Sequence, residues 1–217
     1  MLNRRQYEFG SRGNAVAIKL YDAKISPYAR KVRLIAAELG IPIEKIPLDF
    51  SKGEFHSPEY RAKNPNGKVP TIDDDGFLLW ESIAILKYLA EKKPGLLPAD
   101  AKGRAQADQW MYWWAAHPEP ALDLLLYEMV IKPYMGKPGN DATIIAEANA
   151  HLAQYLPILD RQLAGKEFVV GKLSVVDFAI APRLELGAKV SKVDLAKYPN
   201  ITAWLARLQA KPYWKEN

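Results

Sequence analysis

Every strand-like run in this chain falls within its first 80 residues. Ala17-Ile18-Lys19-Leu20-Tyr21 alternates in the β manner, and Ile43–Leu48 carries Pro47, which suits an edge strand. Val69–Ile72 and Phe77–Trp80 flank Asp75-Gly76, a tight-hairpin pair. Beyond Lys93-Pro94-Gly95-Leu96-Leu97-Pro98, a linker by composition, apolar residues recur only at helical spacing, over Ala101–Met135, Ala142–Leu163, Val175–Lys189 and Ile201–Gln209. This division predicts a compact α/β unit over residues 17–93 and an all-helical bundle over 101–217.

Helix signals complete the first unit. Ser26 is an N-cap, Pro27 suits the first helical position, Val32, Leu34, Ile35 and Leu39 form an apolar face, and Gly40 is a stop. A short helix is expected near Pro58–Lys63 and a longer one over Ser82–Lys92. The order is β-α-β-α-β-β-α, with a parallel, right-handed opening crossover and an antiparallel closing hairpin. In the second unit, Pro118 and Pro120 must kink or split the first long helix. Ser174-Val-Val-Asp177 has capping-box form, and Leu173 and Phe178 are spaced for a hydrophobic staple.

Composition removes several classes of chemistry. The chain has no Cys, so disulfides, Cys-based zinc sites and a Cys nucleophile are excluded. His56, His117 and His151 are widely separated and lack metal-ligand spacing, so no metal is expected. The formal charge of +5 is scattered without a Lys/Arg stripe, which reads as a solvated surface rather than a nucleic-acid footprint. No apolar run is long enough to span a membrane, and a soluble protein is expected. Residues 1–16 hold Arg4, Arg5 and Arg12 against Glu8 alone and lack an apolar stretch, so they read as a flexible extension rather than a secretory signal.

Four local motifs carry the functional reading: Leu20 to Val32 around Ser26-Pro27, Asn64-Pro-Asn-Gly-Lys68-Val69-Pro70, Trp80-Glu81-Ser82, and Gly171-Lys-Leu-Ser174-Val-Val-Asp177-Phe178. In this order, ahead of and behind the switch after Pro94, they resemble the cytosolic glutathione transferases, the phi and theta classes and their bacterial relatives above all. The resemblance runs from Ala17 to the C-terminus. It implies a thioredoxin-like N-terminal domain, an all-helical C-terminal domain, glutathione as co-substrate and a small hydrophobic electrophile as second substrate. A cytoplasmic homodimer serving detoxification is implied too.

The resemblance also assigns roles. Val69-Pro70 would be cis, so that glutathione's cysteinyl backbone pairs with Val69 as an added strand. Glu81 would meet the γ-glutamyl ammonium, and the Ser82 hydroxyl and N–H its carboxylate, at a helix N-terminus suited to anions; a plain N-cap role for Ser82 is the alternative. Ser26 would donate a hydrogen bond to the thiolate, with Tyr21 and Tyr28 as rival donors, because other classes use Tyr.

One departure stands out. In Gly53-Glu54-Phe55-His56, Phe55 holds the position where phi and theta enzymes usually carry His. His56, helped by Lys52 or Lys68, would then reach the glycyl carboxylate, or be an exposed loop residue. Phe55 would be an apolar plug at a dimer interface. For the electrophile pocket the expected residues are Tyr28, Trp114 and His117, with core packing the alternative for the last two. The competing function is a non-catalytic binding or interaction module of the same fold. A Cys-dependent thiol oxidoreductase is eliminated for want of Cys.

Overall fold

In a computed structural model of the chain, residues 17–217 are described. The extension expected over residues 1–16 lies outside them. Four strands, β1 (Ile18–Asp22), β2 (Ile43–Pro47), β3 (Thr71–Asp74) and β4 (Phe77–Trp80), form one mixed sheet in the order β2-β1-β3-β4. β1 and β2 are parallel, joined by α1 (Pro27–Leu39), while β3 pairs antiparallel with both β1 and β4. Pro47 lies on the edge strand β2, where a missing N–H costs no ladder bond.

The local signals act as their chemistry requires. Ser26 Oγ accepts the Ala29 N–H at 3.2 Å, Pro27 opens α1, and Gly40 closes it in the left-handed region at φ 59°. After a 3₁₀ turn at Glu54–His56 comes the short α2 (Pro58–Arg61), capped by Ser57. The third helix, α3 (Ser82–Lys92), packs beside α1 on the sheet face that buries Ile18, Leu20 and Ile72.

The rest of the chain is helical: α4 (Ala101–Ala116), α5 (Pro118–Leu126), a π turn at Tyr127–Ile131, α6 (Lys132–Tyr134), α7 (Ala142–Leu163), α8 (Val175–Val190), α9 (Pro199–Gln209) and α10 (Pro212–Glu216). The run expected over 101–135 is split at His117, because Pro118 has no N–H to continue α4 and instead suits the first turn of α5. The last helix, α10, carries too short a pattern to stand out in sequence; buried Trp214 anchors it.

Buried along almost its whole length, α8 is the centre of the second half and receives α1 and α3 from the first. Its capping box forms. Ser174 Oγ accepts from Val176 N at 3.3 Å, and Asp177 accepts from Ser174 N at 2.8 Å, Val169 N at 3.1 Å and the Trp204 indole at 2.8 Å. Among the described residues no helix is long and apolar enough to cross a membrane.

Candidate functional site

Strand register gathers the functional motifs at one end of the sheet. Tyr21 stands opposite Thr71, Thr71 opposite Trp80, and Asp22 beside Pro47. The loop 23–26, the connection after Pro47, the Val69-Pro70 approach to β3 and the Glu81-Ser82 exit from β4 therefore share that end. Both α1 and α3 begin there, so two helix N-termini with unspent N–H groups converge on it.

At the first of these, Ser26 uses one lone pair on Ala29 N, and among the described residues its hydroxyl proton has no acceptor. Of the two tyrosines proposed as rivals, Tyr28 is engaged elsewhere. Tyr28 donates its phenol proton to Asp123, whose two oxygens lie 2.8 and 2.7 Å away. Burial first, and then the charges of Glu119 and Asp123, push the Tyr28 pKa up. Tyr21 projects from the sheet face opposite Leu20, with its ring 5.6 Å from that of Tyr60 and Lys63 above it.

The Val69–Pro70 peptide is cis. Its approach is held from below: Asn64, 3% exposed, donates to Lys68 O at 2.7 Å and to the Thr71 hydroxyl at 3.1 Å. The Tyr60 hydroxyl donates to Lys68 O at 2.6 Å and lies 2.9 Å from Thr71 Oγ1. With Lys68 O saturated, the free backbone groups are those of the next residue. Among the described residues Val69 N–H and C=O have no hydrogen-bond partner. Lys68 itself is exposed. Sequence reading passed over Asn64, Tyr60 and Thr71 as holders of this loop; the signal available was a small polar residue two positions ahead of Asn66-Gly67.

His56 sits against the same loop. A Cβ added at Gly67 would stand 2.7 Å from Phe55 O and 3.5 Å from His56 Nδ1, so only a glycine, here at φ 59°, allows the close approach. Arg61 Nη2 lies 3.2 Å from His56 Nδ1. Phe55 is 6% exposed and packs between Phe50 at 5.6 Å and Tyr60 at 6.3 Å, which corrects its expected role as a protruding plug; the exposed aromatic of this loop is Phe50.

At the other end, Ser82 is the first residue of α3 rather than its cap, a correction to the simple N-cap alternative. Glu81 holds the cap position at φ 73°, ψ 113°, exposed, in backbone geometry that a residue with a Cβ rarely adopts. No sequence signal announced that strain.

The expected electrophile pocket is only partly assembled. Trp114 is fully buried in the core, and His117 stacks on Tyr155 of α7 at 5.0 Å, with His151 edge-on to the same ring. The burial of Trp114 fits the core-packing alternative, while His117 is half-buried. Tyr28, together with Asp123 of α5, does face between the two halves.

The comparisons agree with this architecture. The model for "Glutathione S-transferase, N-terminal domain" matches residues 20–96, and that for "Glutathione S-transferase, C-terminal domain" matches residues 124–212. A probable glutathione S-transferase of rice, GSTF2, is 35% identical over 199 residues, spanning 90% of this chain and 93% of its own. The crystal structure of glutathione transferase F7 from Populus trichocarpa superposes with a TM-score of 0.85 at 26% identity, covering 92% of this chain and 97% of its own. A glutathione S-transferase-I bound with lactoylglutathione gives 0.84 at 28% identity, covering 92% and 97%. The fold and the paired helix ends thus define a two-part thiol-substrate transferase. This chain belongs to the glutathione S-transferase family and is a glutathione transferase, with glutathione as its co-substrate.

Proposed function

We propose that residues 17–93 bind glutathione and residues 101–217 supply the wall for a small, largely apolar electrophile, with Ser26 the residue that holds the thiolate. The single observation behind this reading is the unspent Ser26 hydroxyl at the N-terminus of α1, at the sheet end where the free Val69 backbone and the start of α3 also lie. Glutathione's cysteinyl backbone pairs with Val69, and its γ-glutamyl carboxylate sits on the Ser82 hydroxyl and N–H, with Glu81 toward the ammonium. Its glycyl end then points across the sheet toward His56 and Lys68, because α3 and the 48–61 connection lie on opposite sides of Val69.

The thiol loses its proton to water, and the Ser26 hydroxyl donates to the sulfur anion. A free thiol titrates near pH ~8.5 and each unit of lowering needs about 1.4 kcal/mol; a hydroxyl donor at a positive helix end supplies roughly one to two units. The anion attacks the electrophilic carbon, the C–S bond forms, and the leaving group departs with the electron pair of the bond that breaks. Tyr28 is an acceptor-side residue in this reading, since its proton is committed to Asp123. The reading extends to a homodimer working in the cytoplasm on detoxification chemistry.

Retention on glutathione-agarose with turnover of chlorodinitrobenzene tests the reading in wild type and Ser26→Ala. The expected result is retention of both, a fall in kcat/KM of roughly tenfold or more in Ser26→Ala, and a bound-thiol pKa raised by about one to two units. Retention without turnover in wild type would instead support the binding-module alternative. Undiminished turnover in Ser26→Ala would move the role to Tyr21 or Tyr28.

A further inference from the structure

Two residues beyond Ser26, α1 turns a polar group toward the helical half. The Tyr28 hydroxyl donates to Asp123, and Arg183 of α8 reaches the same carboxylate, with Nε at 3.1 Å and Nη2 at 3.0 Å from Oδ1. These contacts are unevenly spread. Oδ1 faces Arg183 and Tyr28, whereas Oδ2 meets the Tyr28 hydroxyl at 2.7 Å and nothing else among the described residues. The Asp123 side chain is 48% exposed, so the lone pairs of Oδ2 look outward.

The cations of this cluster are out of reach. Arg183 and Lys31 are fully buried, and Lys31 is spent on Glu119. What the helical side presents beside Tyr28, in the first turn of α1, is therefore a carboxylate edge and a phenol oxygen whose proton points away: acceptors, with no exposed donor in the cluster. Ile25, 86% exposed on the loop before Ser26, adds an apolar flank.

We propose that Asp123 makes this transferase selective for electrophiles that pair an apolar body with a hydrogen-bond donor, a cationic ammonium above all. The proposal rests on the reading of Ser26 as the thiolate site. A surface that only accepts leaves an anionic substituent without a partner and repels it, while a donor on the substrate completes the Oδ2 valence. The chain as a whole carries +5 and its long-range field favours anions, so a preference for cations has to come from the local carboxylate.

The test compares kcat/KM at saturating glutathione for three chloronitrobenzenes of matched reactivity: neutral, carboxylate-bearing and ammonium-bearing. Wild type is expected to favour the ammonium compound over the carboxylate by about tenfold, the size of one partly screened charge contact, with the ratio shrinking as salt is added. Asp123→Asn, which keeps the shape and an oxygen for Tyr28, is expected to bring the ratio near one by raising the rate with the anion and lowering that with the cation.

A wild-type ratio at or below one overturns the proposal. So does an equal loss for all three substrates in Asp123→Asn, which would leave Asp123 as a latch between α1 and α5. If that variant fails to fold, the salt dependence of the wild-type ratio decides alone. Failure of glutathione retention or of neutral-substrate turnover would instead sink the assignment of the thiolate site, so the two failures are distinct.

Discussion

Lys31, wholly buried in the second turn of α1, places its ammonium 2.5 Å from the carboxylate of Glu119 in the first turn of α5. The pair joins the sheet-bearing half to the helical half. Burial pulls the Lys31 pKa down, and Glu119 first, with Asp123 behind it, opposes the fall.

Removing either partner leaves the other charged and buried. Lys31→Met or Glu119→Gln is expected to destabilise the protein by about 3–5 kcal/mol, while Lys31→Met with Glu119→Leu costs far less, because no uncompensated charge remains. Urea unfolding of the three variants checks this. Equal or additive losses would contradict it.

Asp177 titrates in the opposite sense from a typical paired carboxylate. Burial outweighs four hydrogen bonds and raises its pKa to about 6. Between the unfolded value and about 6 the folded state binds more protons, so this group's contribution falls as pH rises through that window and is lowest above it. The shift corresponds to roughly 3 kcal/mol. The loss of stability on Asp177→Asn is therefore expected to be larger near pH ~4.5, inside the window, than near pH ~7.5, above it, measured by denaturant unfolding at each pH. An equal loss at the two pH values contradicts the assignment.

Gly67→Ala drives a Cβ to 2.7 Å from Phe55 O at a φ of 59°. A backbone carbonyl does not yield as a flexible side chain does, so the Gly67-Lys68-Val69 path must shift. The expected outcome is a several-fold rise in KM for glutathione with kcat changed less, and a stability loss of about 1–2 kcal/mol. Steady-state kinetics with glutathione varied gives the result, and an unchanged KM counts against the placement of glutathione on Val69.

Glu81 at φ 73° is strained backbone at the residue proposed to meet the γ-glutamyl ammonium. Glu81→Gly relieves that conformation and removes the carboxylate. It is expected to raise thermal stability by an amount of order 1 kcal/mol while weakening glutathione binding. Calorimetric unfolding with glutathione titration would show both; a variant that is less stable and binds equally well would refute the link.

Much of the fold was legible because its signals act within a few residues. The Ser26-Pro27 start, the Gly40 stop, the Asp75-Gly76 hairpin and the Ser174–Asp177 box each operate over four positions or fewer, and each appears in the structure at its predicted place. The pair of motifs meeting at one sheet end also followed, since Val69 and Glu81 flank strands whose hairpin register is set by a two-residue turn.

The acceptor side was less legible. Trp110, Trp113 and Trp114 sit on one helix, and sequence spacing sends them to different faces without saying which face meets α8, α7 or the cleft. Trp114 went to the core and His117 to Tyr155 because α8 and α7 occupy those sides.

Taken by itself, the sequence determined the element order of the sheet-bearing half, the helix ends marked by local caps and the two-part division, since propensity, capping and turn chemistry are short-range. Tertiary structure alone decided where the Tyr28 proton goes, which charges are buried and which backbone at the sheet end stays free. Those outcomes depend on desolvation and on partners such as Asp123, 95 residues from Tyr28, which meet only once the halves pack.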